Sequence, residues 1–303
     1  MKFFSFRFLK ILAIFSLFFT APCARAAEGE QIDLSRFQKL IPLHEVKLPP
    51  GEYDWMAQHP EPDQSFYEYV NSHPVRPDDK RKYIYLVLLG EFDPARQAVI
   101  RDTARYMEAY FQLETRWLDP VGIENIPPRA RRVHPQTGDK QILTSYVLED
   151  ILAPRLPDDA VSLIAFTSSD LWPGEGWNFV FGQASITDRV GVWSIYRNGN
   201  PNRESQRHLC LLRTVKTGTH ELGHMFSLHH CPYFECNMNG ANHRQESDRR
   251  PLWLCPVCLA KLTWNLGVDP AKRYRDLIKI SDELGLEEEK EFFKKSLEVL
   301  EEK

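Results

Sequence analysis

The run from His220 to Cys231 reads His-Glu-Leu-Gly-His-Met-Phe-Ser-Leu-His-His-Cys. On a helix, residues four apart share a face, so His220 and His224 can offer two ring nitrogens to one point, and Glu221 can lean toward whatever fills it. A catalytic zinc takes three protein ligands and keeps one position open, so a third ligand must come from beyond the helix. His230 supplies it if the chain turns sharply after Leu228; His229 serves if the turn differs by one residue. Three neutral imidazoles leave the ion its charge, which lowers the pKa of bound water from about 15.7 toward 7 and polarises an approaching carbonyl. Glu221, as general base, would take the proton of the zinc-bound water and return it to a leaving amine, which is peptide-bond hydrolysis.

Two cysteine pairs follow. Cys231 and Cys236, then Cys255-Pro256-Val257-Cys258, offer four thiolates that can close a tetrahedral structural zinc. Two disulfides are the rival reading, since the chain begins like an exported one, but the short C-x-x-C loop suits chelation better. Cys210 is then a small apolar residue in the helix that carries His220. Met238, just after Cys236-Asn237, reads equally well as an ordinary core methionine or as a turn beneath the site.

These residues, with Asp248-Arg249-Arg250-Pro251, resemble the archaemetzincins, zinc metallopeptidases of the metzincin clan. The upstream runs Ser169-Asp170-Leu171-Trp172-Pro173, Trp177-Asn178-Phe179-Val180-Phe181-Gly182 and Val190-Gly191-Val192-Trp193-Ser194 are similar to that family too. The resemblance covers roughly residues 82 to 266 and is most specific from His220 to Cys258. It implies an α+β fold, a metzincin-like mixed sheet with packed helices. It also implies a catalytic zinc on His220, His224 and His230, Glu221 as base, Met238 as the Met-turn residue, and a second zinc on Cys231, Cys236, Cys255 and Cys258. Two features depart from the family. Ser227 stands where glycine usually permits a left-handed turn, at a cost on the order of 1 kcal/mol for a side-chain-bearing residue. The other is an export signal, and a zinc-stabilised binding module without hydrolytic activity is the alternative that Ser227 keeps open.

Lys2, Arg7 and Lys10 precede an apolar run from Ile11 to Phe19, and Ala24-Arg25-Ala26 offers small residues to a signal peptidase. Residues 1–26 therefore read as a cleaved signal, and the mature chain as exported, periplasmic or secreted, with no membrane anchor. Removal takes away four basic residues and no acidic ones, leaving 34 basic against 42 acidic and a net charge of −8. That balance argues against a nucleic-acid partner and leaves a peptide or protein as substrate. Composition, 43% hydrophobic and 26% charged, is that of a globular protein.

The elements that must position these groups follow from patterning. Residues 27–80, rich in proline, read as an irregular extension along the domain, with a short helix near Gln64 to Asn71. A catalytic domain spans 81–268. Lys82 to Leu89 is a buried strand, Asp93-Pro94 starts a helix with Ile100, Ala104, Met107 and Phe111 on one face, and Gln141 to Leu148 and Val161 to Thr167 are further strands. Trp177 to Phe181 reads equally well as an aromatic hairpin packed on the core or as an exposed edge strand that a peptide could extend, and the resemblance implies the strand. Arg129, Arg131 and Arg132 read as a solvated loop. Leu259, Leu262 and Leu266 mark a short helix, and residues 269–303 a helical tail whose amphipathic end, Glu287 to Glu302, is solvated.

Overall fold

The computed structural model describes residues 33–302, so the signal expected in residues 1–26 lies outside the described residues. Five strands form the main sheet in the order β2-β1-β5-β8-β7: β1 (Tyr83–Leu89), β2 (Thr115–Trp117), β5 (Ala160–Thr167), β7 (Gly182–Ser185) and β8 (Val190–Ser194). All pairs are parallel except β7, which runs antiparallel to β8 at one edge. A smaller sheet joins β3 (Arg131–Val133), β4 (Lys140–Leu143) and β6 (Asp170–Trp172).

The continuous apolar runs of β1 and β5 have a cause: parallel strands here are covered on both faces. Ile84, Leu86, Ile164 and Phe166 face a core shared with the helices Pro94–Phe111 and Glu204–Met225. Val87, Leu89, Leu163 and Ala165 face a second core on the other side. The helix Pro94–Phe111 begins as its sequence suggests, with the Asp93 carboxylate accepting the Arg96 N–H at 2.9 Å and proline at its first position. In the extension, Phe66–Asn71 forms the short helix, closed by a capping box between Ser65 and Glu68.

Four expectations need correction. The strand after Gln141 stops at Leu143 and the chain turns helical over 144–152, because Val147, Leu148, Ile151 and Leu152 recur at helical spacing and bury against the second core. The aromatic run Trp177 to Phe181 is not a continuous strand: it carries one isolated bridge, Val180 N donating to Leu171 O at 3.1 Å, Arg197 lies 3.9 Å over Phe179 and Arg244 3.9 Å over Phe181, and the edge ladder starts only at Gly182. Arg131 and Arg132 belong to β3 rather than a solvated loop, and Arg132 donates to Gln141 Oε1 (2.7 Å), Trp177 O and Asn178 O while lying over Trp172.

The fourth concerns the C-terminus, which is part of the core. Within the stretch expected as a helical tail, the helix Pro270–Leu284 buries Tyr274 and Leu277, and its Arg273 Nε donates to Tyr110 O at 2.7 Å. The last helix, Glu287–Glu301, buries Phe293 against Tyr274 and stacks Phe292 on Trp253 at 3.9 Å. Among the described residues no helix is long and apolar enough to cross a membrane.

A packed C-terminus makes a measurable claim. Phe293→Ala should cost about 3–5 kcal/mol in denaturant unfolding, as for a buried aromatic. A loss under about 1 kcal/mol, the size of a surface change, would return this helix to the status of a tail.

Candidate metal centre

The helix Glu204–Met225 carries His220, Glu221 and His224 in its last two turns. Its end decides the rest of the site. Ser227 takes φ +66°, Ser227 N donates to His224 O at 2.8 Å and Leu228 N to Gly223 O at 3.2 Å, so the helix closes with a left-handed residue and a bond from Leu228 to the carbonyl five residues back. The serine expected to pay for this conformation has partners: its Oγ accepts the Val75 N–H at 3.1 Å and its carbonyl accepts Gln64 Nε2 at 3.2 Å. Gln64 Oε1 in turn accepts the His229 N–H at 3.2 Å, and Lys261 Nζ holds Gln64 through both its side-chain and main-chain oxygens. The turn leaves His229 exposed and brings His230 inward.

The three rings converge. His224 Nε2 lies 3.1 Å from His220 Nε2 and 3.2 Å from His230 Nε2. Each ring's other nitrogen meets an acceptor: His220 Nδ1 stands 2.7 Å from Asn237 O, His224 Nδ1 2.6 Å from Leu228 O, and His230 Nδ1 2.7 Å from Glu61 Oε2. Carbonyl and carboxylate oxygens accept, so each Nδ1 carries the proton and each Nε2 presents a lone pair. Three lone pairs aimed at one point repel unless a cation sits between them. Zn–N bonds of about 2.0–2.1 Å in tetrahedral geometry put ligand nitrogens about 3.3 Å apart, so the donor set and its spacing fit zinc.

Electrostatics keep His220 and His224 neutral, which is the ligating form. Burial drives His220 well below its ordinary pKa, helped by the positive charge of Arg250, and burial and the neighbouring His230 bring His224 down to about 3. Arg250 Nη1 stands 2.8 Å from His220 Nδ1 but donates to Asn239 O at 2.8 Å. Glu221 lies beside the cluster, and burial raises its pKa while Arg250 and His230 pull the other way. Glu61 is held below its ordinary value; burial pushes it up, and the bonds from His230 and Trp55 outweigh that push.

Immediately after His230, Cys231, Cys236, Cys255 and Cys258 bring their buried sulfurs within 4.8 Å of one another. Cys231 and Cys255 are 3.6 Å apart, far beyond the roughly 2.05 Å of a disulfide and close to the separation of two thiolates on one zinc. Cys236 Sγ accepts the N–H groups of Met238 (3.4 Å) and Cys255 (3.2 Å). Hydrogen bonds from the other three thiols push Cys231 well down, whereas Cys255 is pushed up by burial and Cys258 by its bonds to Cys231 and Cys236. One thiolate thus opposes the next until a cation neutralises them. Cys210 is buried in the helix, as expected, and burial raises its thiol to about 11.

Beneath the site runs the segment Cys236-Asn237-Met238-Asn239. Asn237 Nδ2 donates to Thr219 Oγ1 (2.8 Å), and Asn239 Nδ2 to Cys231 O (2.7 Å) and Phe234 O (2.9 Å), so this turn is pinned to both the helix and the cysteine cluster. Met238 is fully buried, and a Cβ placed on Gly223 would come 2.6 Å from its Sδ. That contact explains the glycine inside the motif. On the other side of the helix, a Cβ on Gly182 would come 2.1 Å from Trp193 Cδ1 and 3.2 Å from Glu221 Cγ, so the edge strand β7 passes beside Glu221.

Sequence reasoning missed Glu61, Gln64, Lys261 and Arg250. Arg250 lay within a motif already singled out. Glu61 had one signal, a carboxylate locked between Pro60 and Pro62, and nothing that linked it to a histidine 169 residues away.

A family model for peptidase family M54 matches residues 154–264. Archaemetzincin-2 of Mus musculus is 34% identical over 288 residues, covering 84% of this chain and 80% of that protein; the Homo sapiens protein is 35% identical, covering 76% and 72%. The chain belongs to the archaemetzincin family. It is therefore a metallopeptidase by lineage, and zinc is the metal expected of it. The crystal structure of an archaemetzincin from Methanopyrus kandleri has a similar fold, with 28% identity and a TM-score of 0.51 over 63% of this chain and 99% of that one. The mixed sheet with packed helices is thus the family's fold.

The Gly223–Met238 contact can be tested apart from metal. Gly223→Ala, which in an open helix would stabilise by up to about 1 kcal/mol, should here destabilise by about 1–3 kcal/mol in thermal unfolding. A stabilised variant would show that Met238 does not press on the helix.

Proposed function

We propose that this archaemetzincin hydrolyses peptide bonds at a zinc held by His220, His224 and His230, with Glu221 as general base. The observation that carries this reading is the convergence of three Nε2 lone pairs whose Nδ1 protons are each taken by an oxygen. When bound, zinc would supply Lewis acidity to the substrate carbonyl and make a water acidic enough to attack near neutral pH.

The chain's own groups do the rest. Glu221 accepts the proton of the attacking water on its carboxylate and delivers it to the departing amine, and its raised pKa suits it to both halves of that exchange. Trp193 and Gly182 set how near the edge strand approaches Glu221. The outer edge of β7 offers its main chain to an extended peptide, which would bind by strand addition beside the three histidines. Cys231, Cys236, Cys255 and Cys258 would hold a second, structural zinc. Because Cys231 follows His230 directly, closing that cluster also fixes the end of the turn that carries the third ligand.

Glu221→Ala should keep two zincs per chain by elemental analysis and lose peptide hydrolysis by at least about 10²–10⁴-fold. Undiminished cleavage by this variant would remove Glu221 from the mechanism, and a wild type that cleaves nothing in a broad peptide library would favour a binding role. We also propose that the protein is exported, on the basic residues, apolar run and Ala24-Arg25-Ala26 of its N-terminus. The mature protein recovered from its host should then begin at Ala27; a product retaining residues 1–26 would end that reading.

A further inference from the structure

The three histidines are not supported alike. His220 and His224 give their Nδ1 protons to main-chain carbonyls, Asn237 O and Leu228 O, that lie within the motif's own helix end and the turn beneath it. His230, on the turn beyond the helix, gives its proton instead to a carboxylate, Glu61 Oε2 at 2.7 Å, from the proline-rich extension. Glu61 itself is fixed on both sides. Its other oxygen accepts Trp55 Nε1 at 2.8 Å, the Trp55 ring meets the His230 ring edge-on with centroids 5.2 Å apart, and Trp55 N donates to both Glu246 oxygens at 3.0 Å. Both carboxylate oxygens are therefore committed, one to the imidazole and one to the residue that packs on it.

A carboxylate behind a ligating imidazole does two things. It fixes the tautomer and the ring plane, and it makes the opposite nitrogen a better donor to a metal. A ligand in a turn needs that more than one on a helix, because no repeating backbone holds it in place. Gln64 and Val75, from the same extension, bond the left-handed Ser227 and the His229 N–H, so the segment that orients the ring also holds the turn that carries it.

We infer that Glu61 is a positioning residue for the third metal ligand, so that the N-terminal extension is a working part of the metal centre. This rests on the reading of His220, His224 and His230 as a zinc site. Glu61 touches neither the expected ion nor a substrate; it acts through His230.

The test uses the full mature chain and two variants. Glu61→Gln keeps the size of the side chain and removes its charge; Arg36→Ala releases an exposed contact of the extension with Asp269 and touches neither residues 61–75 nor His230. Zinc affinity is measured by chelator competition, and cobalt replacement separates the two sites, because only a thiolate site gives sulfur-to-metal charge transfer. Glu61→Gln should weaken metal binding at the histidine site by about 10–100-fold and leave the cysteine site unchanged, while Arg36→Ala binds as the wild type at both. Wild-type affinity in Glu61→Gln would overturn the proposal. So would an equal loss in Arg36→Ala, which would make Glu61 only one strut among several for the extension. A wild type that takes metal at the cysteines alone would overturn the histidine-site reading itself, and this proposal with it.

Discussion

The structure turns on one requirement: three uncharged imidazoles must hold their lone pairs on a common point without an opposing charge of their own. Neutral rings are cheap to bury compared with imidazolium ions, but a neutral ring has a proton on one nitrogen or the other, and only a hydrogen-bond acceptor on the far side settles which. Asn237 O, Leu228 O and Glu61 Oε2 are those acceptors. They come from three places, the turn beneath the helix, the turn after it and the extension, and the fold can be understood as what brings those three places to one helix end.

Each is fixed by something else. The carbonyl of Asn237 is held because its side chain bonds Thr219 on the helix and its N–H donates to Trp253 O at 2.8 Å. The carbonyl of Leu228 is held because Leu228 is buried and its N–H closes the helix onto Gly223. Asn239 ties the same turn to Cys231, so the cysteine cluster and the histidine cluster share a backbone segment on either side. Disorder in the sulfur site would therefore reach the nitrogen site through the carbonyls that set its tautomers, without any contact between the two sets of ligands.

What could be read in the amino-acid sequence was what local spacing encodes. Two histidines four apart need only a helix to face one way, and paired cysteines need only short loops, so both groups were visible before any tertiary structure. Asp93-Pro94 announced its helix for the same reason. Asp269-Pro270 carries the identical signal, with Asp269 Oδ2 accepting the Lys272 N–H at 3.1 Å, but that signal says nothing of whether the helix packs or is solvated. The helix over 144–152 was hidden because its first four residues extend a β-compatible pattern, and only the second core decides between strand and helix there. The aromatic run before Gly182 has strand composition, yet the arginines that claim its rings come from residues 197 and 244, too distant in the chain for pattern to relate.

Ser227 joins these strands of argument. Glycine, the family's usual residue there, meets a left-handed φ with no steric penalty, whereas serine carries a cost on the order of 1 kcal/mol. Of the two hydrogen bonds on the serine, the one its Oγ accepts from the Val75 N–H is the one a glycine would lack, and at about 0.5–1.5 kcal/mol net it offsets that cost; the other is to the carbonyl, which any residue offers. Both come from the extension, and a third from the same Gln64 steadies His229 one residue before the third ligand. The substitution and the docked segment are thus energetically one feature: the side chain that makes the turn harder to form is also the one through which the extension grips it. A turn closed by glycine would keep the Gln64 bond to its carbonyl and lose the Val75 bond to the side chain. This one depends on residues 61–75, and the same stretch supplies the carboxylate that His230 faces.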